Sequence, residues 1–263
     1  MKKIAILISG HLRNLNEIID NFYNNLIIPI STDFLYDIYI HTWDNNCTKD
    51  KIMSNDKYYI EIKITEEYIN NLFNDNNIVT KKIIIENQEQ IKNKLKLCDY
   101  LNNNTKERSI LGNFDNSYVK DLTKKVFLQY YGHYKLLNCL DLDCKYDFII
   151  KTRPDMFYEQ FDINLFNHNI FFPNSHQKGG SNINNLFFGG KTEYIINILK
   201  YFETIIFHNK NMNFKFIDKY DKSDINLNSL FRYYILNHLN YKPFFTSYNP
   251  KIYRNKGFII TVR

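Results

Sequence analysis

The chain has 263 residues, and 34 Lys and Arg against 28 Asp and Glu give it a formal net charge of +6. A hydrophobic content of 44% and an aromatic content of 16% are ample for a packed core, which excludes a disordered chain. The basic residues are scattered, so they do not indicate a nucleic-acid-binding surface and support at most a mild preference for anionic small molecules.

The cysteines and the N-terminal segment bear on the compartment. The cysteines have neither the spacing of a metal site nor the density of a disulfide scaffold, so we expect reduced thiols. The apolar run Ile4–Ile8 is too short for the core of a signal peptide, and no later run reaches the ~18 apolar residues of a membrane-spanning helix. We therefore expect a soluble, cytoplasmic protein. The four cysteines are Cys47, Cys98, Cys139 and Cys144.

The first part of the chain predicts alternating strands and helices. A continuous apolar run over Lys3–Ser9 is typical of a strand buried on both faces of a parallel sheet. Apolar residues at helical spacing predict a helix over Leu15–Leu26. Further strands are predicted over Tyr36–Ile40 and, after an Asn- and Asp-rich connection, over Lys82–Ile85. Strand, helix and strand at this spacing form a βαβ unit, which predicts an α/β fold.

The rest of the chain continues the alternation. A helix is predicted over Gln88–Leu97, and an exposed loop passes through Asn102–Asn104. A capping signal at Asp115–Ser117 predicts a long helix that ends at about Leu140. No repeat and no Pro- or Gly-rich linker marks a boundary, so we expect one domain. The later predicted elements are strands over Tyr146–Ile150, Ile170–Phe172 and Asn185–Phe188, helices over Thr192–Phe207 and Asp224–Leu239, and a strand-like end over Lys251–Arg263.

Three predicted strands end in the same way, with an apolar run that gives way to a polar cluster. The clusters are Ser9–Arg13, His41–Asp44 and Lys151–Asp155. Ligands of open α/β sheets bind in the crevice at the carboxyl ends of the strands. The sequence therefore predicts one ligand site to which all three clusters contribute.

The cluster after the third of these strands suits a diphosphate. If the strand continues, alternation puts Lys151, Arg153 and Asp155 on one face. The Asp155 carboxylate could then bind a divalent cation while Arg153 forks onto phosphate oxygens. An ordinary salt bridge between Arg153 and Asp155 at the strand end is the alternative.

The cluster after the first strand opens a predicted helix. Backbone N–H groups and the helix dipole favour an anion there; Gly10 would allow close backbone approach and Arg13 would add charge. The alternative is an ordinary turn with a solvated Arg13. The glycine pattern is not GxGxxG, so a dinucleotide-binding fold is not supported.

Aromatic and polar residues near these clusters could hold the rest of a ligand. A base or sugar could stack on Trp43, which lies close to His41, although a lone tryptophan can equally belong to the core. Gln129 and His133 are four residues apart on one helix face and could reach a sugar, or His133 could be a buried, hydrogen-bonded core residue.

Signatures of other chemistries are absent from the sequence. It lacks clustered zinc ligands, the G-x-S-x-G of serine hydrolases and the G-x-x-x-x-G-K-[ST] of P-loop ATPases. Basic and aromatic residues are not interleaved as RNA binding would need.

Taken in order, the segments Ile4–Arg13, Asp37–Trp43 and Tyr146–Asp155 resemble small glycosyltransferase-like proteins of the GT-A type. Such sugar-nucleotide transferases occur in bacterial capsule and lipopolysaccharide gene clusters, with relatives in large DNA viruses. The resemblance implies a single α/β, GT-A-like (Rossmann-like) domain, in which a mixed sheet carries helices on both faces. A nucleotide-sugar-binding half would cover about 1–158, and an acceptor half about 159–263.

The resemblance also implies roles for individual residues. R-x-D stands where GT-A enzymes carry their D-x-D metal motif, so Asp155 would bind Mn²⁺ or Mg²⁺ on the donor diphosphate, with Arg153 beside it. The remaining donor-binding residues would be Ser9, Gly10, His11, Arg13, His41, Trp43, Gln129, His133 and Lys151. The partners would be a nucleotide-sugar donor and a glycan or glycolipid acceptor, in the bacterial cytoplasm or that of a viral host.

Two departures from the family pattern concern the metal and the base. The metal motif has one carboxylate instead of two, and Asn184 and Asn185 stand where relatives often show Asp near the acceptor, so the resemblance makes Asn185 a catalytic candidate. Of Asp221 and Asp224, which precede the last predicted helix, Asp224 is the stronger candidate for the general base of an inverting transfer. A retaining mechanism, a non-catalytic nucleotide- or glycan-binding protein and, more distantly, a methyltransferase stay open.

Overall fold

The computed structural model of the protein describes residues 1–13, 15–45, 63–74, 78–94, 117–141, 143–174, 183, 185–203, 231–254 and 258–260. Strands and helices alternate through most of this part of the chain, which confirms the α/β prediction. The strands are β1 (Lys2–Ser9), β2 (Phe34–Trp43), β3 (Thr80–Glu86), β4 (Phe148–Thr152), β5 (Met156–Phe157), β6 (Ile170–Pro173), β7 (Phe188–Lys191), β8 (Phe244–Thr246), β9 (Lys251–Arg254) and β10 (Phe258–Ile260). The α-helices are α1 (Leu15–Phe22), α2 (Ile28–Ser31), α3 (Glu66–Asn74), α4 (Gln88–Lys94), α5 (Ser117–Leu137) and α6 (Thr192–Leu199).

Seven strands form a mixed sheet in the order β3-β2-β1-β4-β7-β6-β8. The first four are parallel to one another, β7 is antiparallel to both of its neighbours, and β8 is parallel to β6. From β1 the chain adds β2 and β3 on one side and later returns to place β4 on the other. The order therefore reverses between β1 and β4, where open α/β sheets bind ligands. A smaller antiparallel sheet has the order β10-β9-β5.

The large sheet is buried on both faces, and side-chain alternation along β1 separates two cores. Ile4, Ile6 and Ile8 pack with the apolar residues of α1 and α3. Ala5 and Leu7 pack with those of α5 and α6. Ser9 continues the second series, so alternation directs its side chain toward α5. The prediction of a mixed sheet with helices on both faces is confirmed.

Three strand predictions need correction in their bounds. β2 extends to Trp43, so the polar cluster His41–Trp43 lies within the strand instead of after it. β4 covers Phe148–Thr152, two residues later than predicted at each end. β7 begins at Phe188, the residue where the predicted strand ended, and continues through Gly189. Glycine is needed inside this strand because a Cβ on Gly189 would lie 2.4 Å from the Phe171 ring.

The helices also differ from the predictions. The helix predicted over Leu15–Leu26 is α1 followed by a π-helical turn over Tyr23–Ile27. α3 was not predicted, since it lies in the Asn- and Asp-rich connection and buries few apolar side chains. Of the helix predicted over Asp224–Leu239, the described part contains a π-helical turn over Tyr234–His238. Within the part of the chain that the structure describes, no helix is both long enough and apolar enough to cross a membrane.

Candidate functional site

The carboxyl ends of the parallel strands place the predicted clusters side by side. Ser9 at the end of β1 is in register with His41 of β2. On the other side of β1, Leu7 is in register with Lys151 of β4. Because alternate side chains share a face, Ser9, His41 and Lys151 all point to the face that α5 covers.

Gly10 makes the turn that leaves β1. Its φ of +136° is a conformation that other residues rarely adopt, and its N–H donates to the His41 carbonyl at 3.2 Å. A Cβ on Gly10 would lie 3.4 Å from Cδ of Pro154, which follows β4. The chain therefore passes between the end of β2 and the turn after β4, at the point where the strand order reverses. Arg13 follows this turn and is partly buried.

His11 is buried between two neighbouring segments. Its Nδ1 lies 3.1 Å from the Asn45 carbonyl, and its Nε2 lies 3.2 Å from the side-chain nitrogen of Gln88. Burial, with Arg13 nearby, lowers the pKa of His11 to about 3. The ring is therefore neutral, and its contacts fit one tautomer, in which Nδ1–H donates to the carbonyl and Nε2 accepts from the amide. His11 connects β1 to α4 and does not supply a positive charge.

His41 contacts a carboxylate that the sequence analysis missed. Its Nε2 lies 2.9 Å from Oε2 of Glu86, the last residue of β3. The other oxygen of Glu86 accepts from the hydroxyl of Tyr131 at 3.0 Å and lies 3.1 Å from Nζ of Lys135. Glu86 follows the apolar run Lys82–Ile85, so the rule that selected the other three clusters would have found it.

Helix α5 approaches these strand ends closely at Gly132. A Cβ there would lie 3.1 Å from Nδ1 of His41 and 3.2 Å from Cβ of Ser9. Ser9 Oγ and His41 Nδ1 are buried, and neither has a hydrogen-bond partner among the residues that the structure describes. Buried polar atoms without partners are rare in folded proteins and point to an unfilled role, such as contact with water or a ligand.

Trp43 is packed into the core above the strand ends. Its side chain is 4% exposed, and it stacks on Tyr131 with ring centres 6.3 Å apart and an interplanar angle of 17°. The rings of His11 and His41 lie 6.2 Å and 5.0 Å from it. These contacts favour the packing interpretation of the lone tryptophan over an open stacking surface for a base.

A buried polar contact joins β4 to α5: Lys151 of β4 and Gln129 of α5 both lie close to the backbone of Asn185. Nζ of the fully buried Lys151 donates to the backbone carbonyls of Asn185 at 3.0 Å and Leu186 at 3.3 Å. Burial lowers the pKa of Lys151 well below its ordinary value, and the positive charge of Arg153 adds to the effect. The Gln129 amide lies 3.5 Å from the same Asn185 carbonyl.

The Asn185 side chain donates to the hydroxyl of Tyr130 at 2.7 Å. A carboxamide has no basic atom at neutral pH, so its chemistry suits orientation of neighbours and not removal of a proton. Asp224, the residue predicted as general base, lies outside the described residues, as do Asp221 and Asn184.

His133 lies one turn after Gln129 on α5 and is 2% exposed. Its ring packs edge-on against Tyr130 and Phe188, and within the described part of the chain its Nε2 has no hydrogen-bond partner. Burial, reinforced by Lys151, lowers its pKa well below the ordinary value, so the ring is neutral. Together with Ser9 Oγ and His41 Nδ1, this Nε2 is the third unpartnered polar atom on the α5 face.

Arg153 and Asp155 form a two-point ion pair at the end of β4. Nε and Nη2 of Arg153 donate to Oδ1 and Oδ2 of Asp155 at 2.7 and 2.8 Å. Asp155 is fully buried and Arg153 is 17% exposed. Burial opposes the charge on Arg153, and Asp155 outweighs it, so the pKa of Arg153 is raised.

This arrangement does not suit a divalent cation at Asp155. Both carboxylate oxygens already accept from Arg153. Among the residues that the structure describes, no three His, Cys, Asp or Glu side chains are grouped so that they could hold a metal ion. Asp155 is therefore the anchor of Arg153 in this structure and does not fit the role of a metal ligand.

Two comparisons with known proteins assign no family to the chain. No protein-family model matches the chain, and a search of curated proteins found no match. The strand order, the position of the polar clusters and the order of the three motifs are the observations from which a function can be inferred.

Proposed function

We propose that the protein is a glycosyltransferase that moves a sugar of the hexose type from a nucleoside-diphosphate sugar to a hydroxyl of a glycan or glycolipid acceptor. One observation carries the proposal: polar clusters of three adjacent strand ends meet where the strand order reverses between β1 and β4. The order of the same three motifs along the chain, which resembles GT-A enzymes, supports it.

Arg153 would bind the diphosphate. A guanidinium has more N–H donors than Asp155 takes, so Arg153 can also donate to phosphate oxygens, and its salt bridge holds it in place. As the bond to the sugar breaks, negative charge grows on the leaving diphosphate, and a cation fixed beforehand stabilises it. Arg13, after the turn at Gly10, would add positive charge on the β1 side.

The acceptor hydroxyl would lose its proton to a base, for which Asp224 remains the proposed residue. Asn185 and Gln129 would help to orient the sugar or the acceptor. Their shared contact at the Asn185 carbonyl places them on the α5 side of the same strand ends.

A non-catalytic nucleotide- or glycan-binding protein on the same fold is the second candidate. The observation that favours it is the state of two carboxylates at this edge, those of Asp155 and Glu86. Asp155 is occupied by Arg153, and Glu86 by His41, Tyr131 and Lys135. Neither is placed to receive a proton from an acceptor.

Ligand-induced thermal stabilisation tests the binding half of the proposal. UDP, GDP, dTDP and CMP are each added with and without Mn²⁺, and S-adenosylmethionine serves as the test of a methyltransferase. A ligand at 100 times its dissociation constant adds ~2.7 kcal/mol of stability. We expect one nucleotide to stabilise the protein. Because both carboxylate oxygens of Asp155 accept from Arg153, we expect this thermal stabilisation to occur without Mn²⁺.

Two variants locate the binding site. Asp155→Asn disturbs the Arg153 anchor, whereas Asp37→Asn breaks a more exposed ion pair, with Lys3 at 2.7 Å, at the opposite edge of the sheet. Each variant is compared with its own ligand-free form, and only Asp155→Asn should lose the shift. Release of nucleoside diphosphate from a nucleotide sugar then tests transfer. Binding without turnover would select the second candidate, and no binding by folded protein would contradict both.

A further inference from the structure

Glu86 links β3, β2 and α5 through one carboxylate. One oxygen lies 2.9 Å from Nε2 of His41, and the other contacts Tyr131 and Lys135 of α5 at 3.0 and 3.1 Å. Glu86 is the last residue of β3 and contacts the ring of His41. Nδ1 of that ring and the nearby Ser9 Oγ are buried atoms without a hydrogen-bond partner among the described residues.

The carboxylate determines which nitrogen of His41 carries the proton. His41 and Lys135 lower the pKa of Glu86 to about 2 against the opposing effect of its burial, so the group is ionised and can only accept hydrogen bonds. The Nε2 of His41 must therefore carry a hydrogen. Burial lowers the pKa of His41 despite Glu86, so the ring is neutral and Nδ1 is an unprotonated acceptor. That nitrogen is the atom without a partner beside Ser9.

The same carboxylate seats α5 on the sheet. Tyr131 and Lys135 lie close to Gly132 on the helix, and a Cβ on Gly132 would lie 3.1 Å from Nδ1 of His41 and 3.2 Å from Cβ of Ser9. Glu86 thus acts on both sides of this contact. On one side it orients the His41 ring, and on the other it fixes the helix that carries His133.

We propose that Glu86 is a positioning residue of the candidate site, which holds His41 in the Nε2–H tautomer with Nδ1 as an acceptor and seats α5 over the strand ends. Carboxylates set histidine tautomers in the same way beside metals and in catalytic dyads. The effect on nucleotide binding rests on the proposed function, but the tautomer and the seating of α5 do not.

Nitrogen NMR of the full-length protein, labelled with ¹⁵N-histidine, tests the inference without an activity assay. In the wild type, we expect the His41 signals of the Nε2–H tautomer at neutral pH. In Glu86→Gln, the neutral amide can donate as well as accept, so we expect a mixed or reversed tautomer and a shifted His133 signal. The control is Glu89→Gln, because Glu89 is 72% exposed and pairs only at the surface with Lys92 at 2.6 Å.

Each result decides for or against the inference. A wild-type His41 in the Nδ1–H tautomer would overturn it without any variant, which covers the case that Glu86→Gln does not fold. An unchanged tautomer in folded Glu86→Gln would also overturn it. Where the wild type binds a nucleotide, Glu86→Gln should weaken that binding about tenfold and Glu89→Gln should not. Where the wild type binds none, the proposed function fails, and the NMR result alone decides the role of Glu86.

Discussion

The guanidinium of Arg153 holds both carboxylate oxygens of Asp155, at 2.7 and 2.8 Å, although only Pro154 separates the two residues. The pair closes the turn after β4, next to Gly10 and the point of strand-order reversal. The carboxylate is fully buried and depends on this cation. The turn is thus a rigid element with a cationic side chain at the edge of the sheet.

Removal of one partner of this pair should destabilise the fold strongly. Asp155→Ala leaves the Arg153 charge without its partner in a largely buried place, and such losses cost about 3–5 kcal/mol. Urea denaturation measures the change in the free energy of unfolding. The control is Glu159→Ala, since Glu159 is more than half exposed and lies 3.6 Å from Lys251, and we expect a cost below ~1 kcal/mol. Equal costs would show that the buried pair does not hold the turn.

Gly132→Ala should destabilise the protein even though alanine is the better helix former. The exchange favours a helix by about 1 kcal/mol in open surroundings. Here the new Cβ would lie 3.1 Å from His41 Nδ1 and 3.2 Å from Ser9 Cβ, and overpacking typically costs about 1–3 kcal/mol. Thermal unfolding gives the net effect. The double variant Gly132→Ala, Ser9→Gly lacks the contact with Ser9 and should recover part of the lost stability. A more stable Gly132→Ala single variant would contradict the prediction and would mean that α5 can move away from the sheet.

Continuous apolar runs explain why the sheet could be predicted from the sequence. The segments that became β1 and β4 are apolar on both faces, as strands of a covered parallel sheet must be, and each ends in an abrupt polar cluster. The rule on strand ends then located Ser9, His41 and Lys151, which the structure brings to one face.

The missed features depend on contacts between distant parts of the chain. Glu86 follows the apolar run Ile83–Ile85, so the rule on strand ends could have selected it, but its partners on β2 and α5 come from distant parts of the chain and cannot be read from the sequence. Trp43 was interpreted as lying past its strand because nothing local shows that β2 continues under Tyr131. The predicted strand stopped at Phe188, whereas β7 continues through Gly189, because a Cβ there would lie 2.4 Å from the Phe171 ring, a contact that the sequence does not show.

Protonation of His11 should make the protein labile to acid. Its pKa falls from 6.5 to about 3 on folding, so between these values the unfolded chain binds more protons and stability falls as pH falls. The loss is at most on the order of 5 kcal/mol by pH 3. His11→Gln keeps a polar side chain without this proton and should lose stability less steeply from pH 6.5 to 4, measured by urea denaturation at each pH.

The control for this acid effect is His168→Gln. His168 stacks on Phe244, and its replacement removes a histidine at another place in the fold. A change in the pH profile of His168→Gln as large as that of His11→Gln would show that the effect is not specific to His11. The buried His41 and His133 also have lowered pKa values, so part of the acid lability should persist in His11→Gln. Identical pH profiles for the wild type and His11→Gln would contradict a neutral, buried His11.

Lys151 should affect how stability depends on pH in the alkaline range. Burial lowers its pKa well below 10.5, so at alkaline pH the unfolded chain still binds a proton that the folded chain has released. Stability due to this residue therefore rises as pH rises toward 10.5, by at most about 1.4 kcal/mol per pH unit. Lys151→Met lacks this contribution. Between pH 7 and 10, the free energy of unfolding of the wild type should therefore increase relative to that of the variant. The same change at the exposed Lys145 is the matched control, which separates the effect of a buried lysine from that of removing any lysine. A constant difference between the wild type and Lys151→Met across this range would show that Lys151 keeps its proton in the core, held by the carbonyls of Asn185 and Leu186.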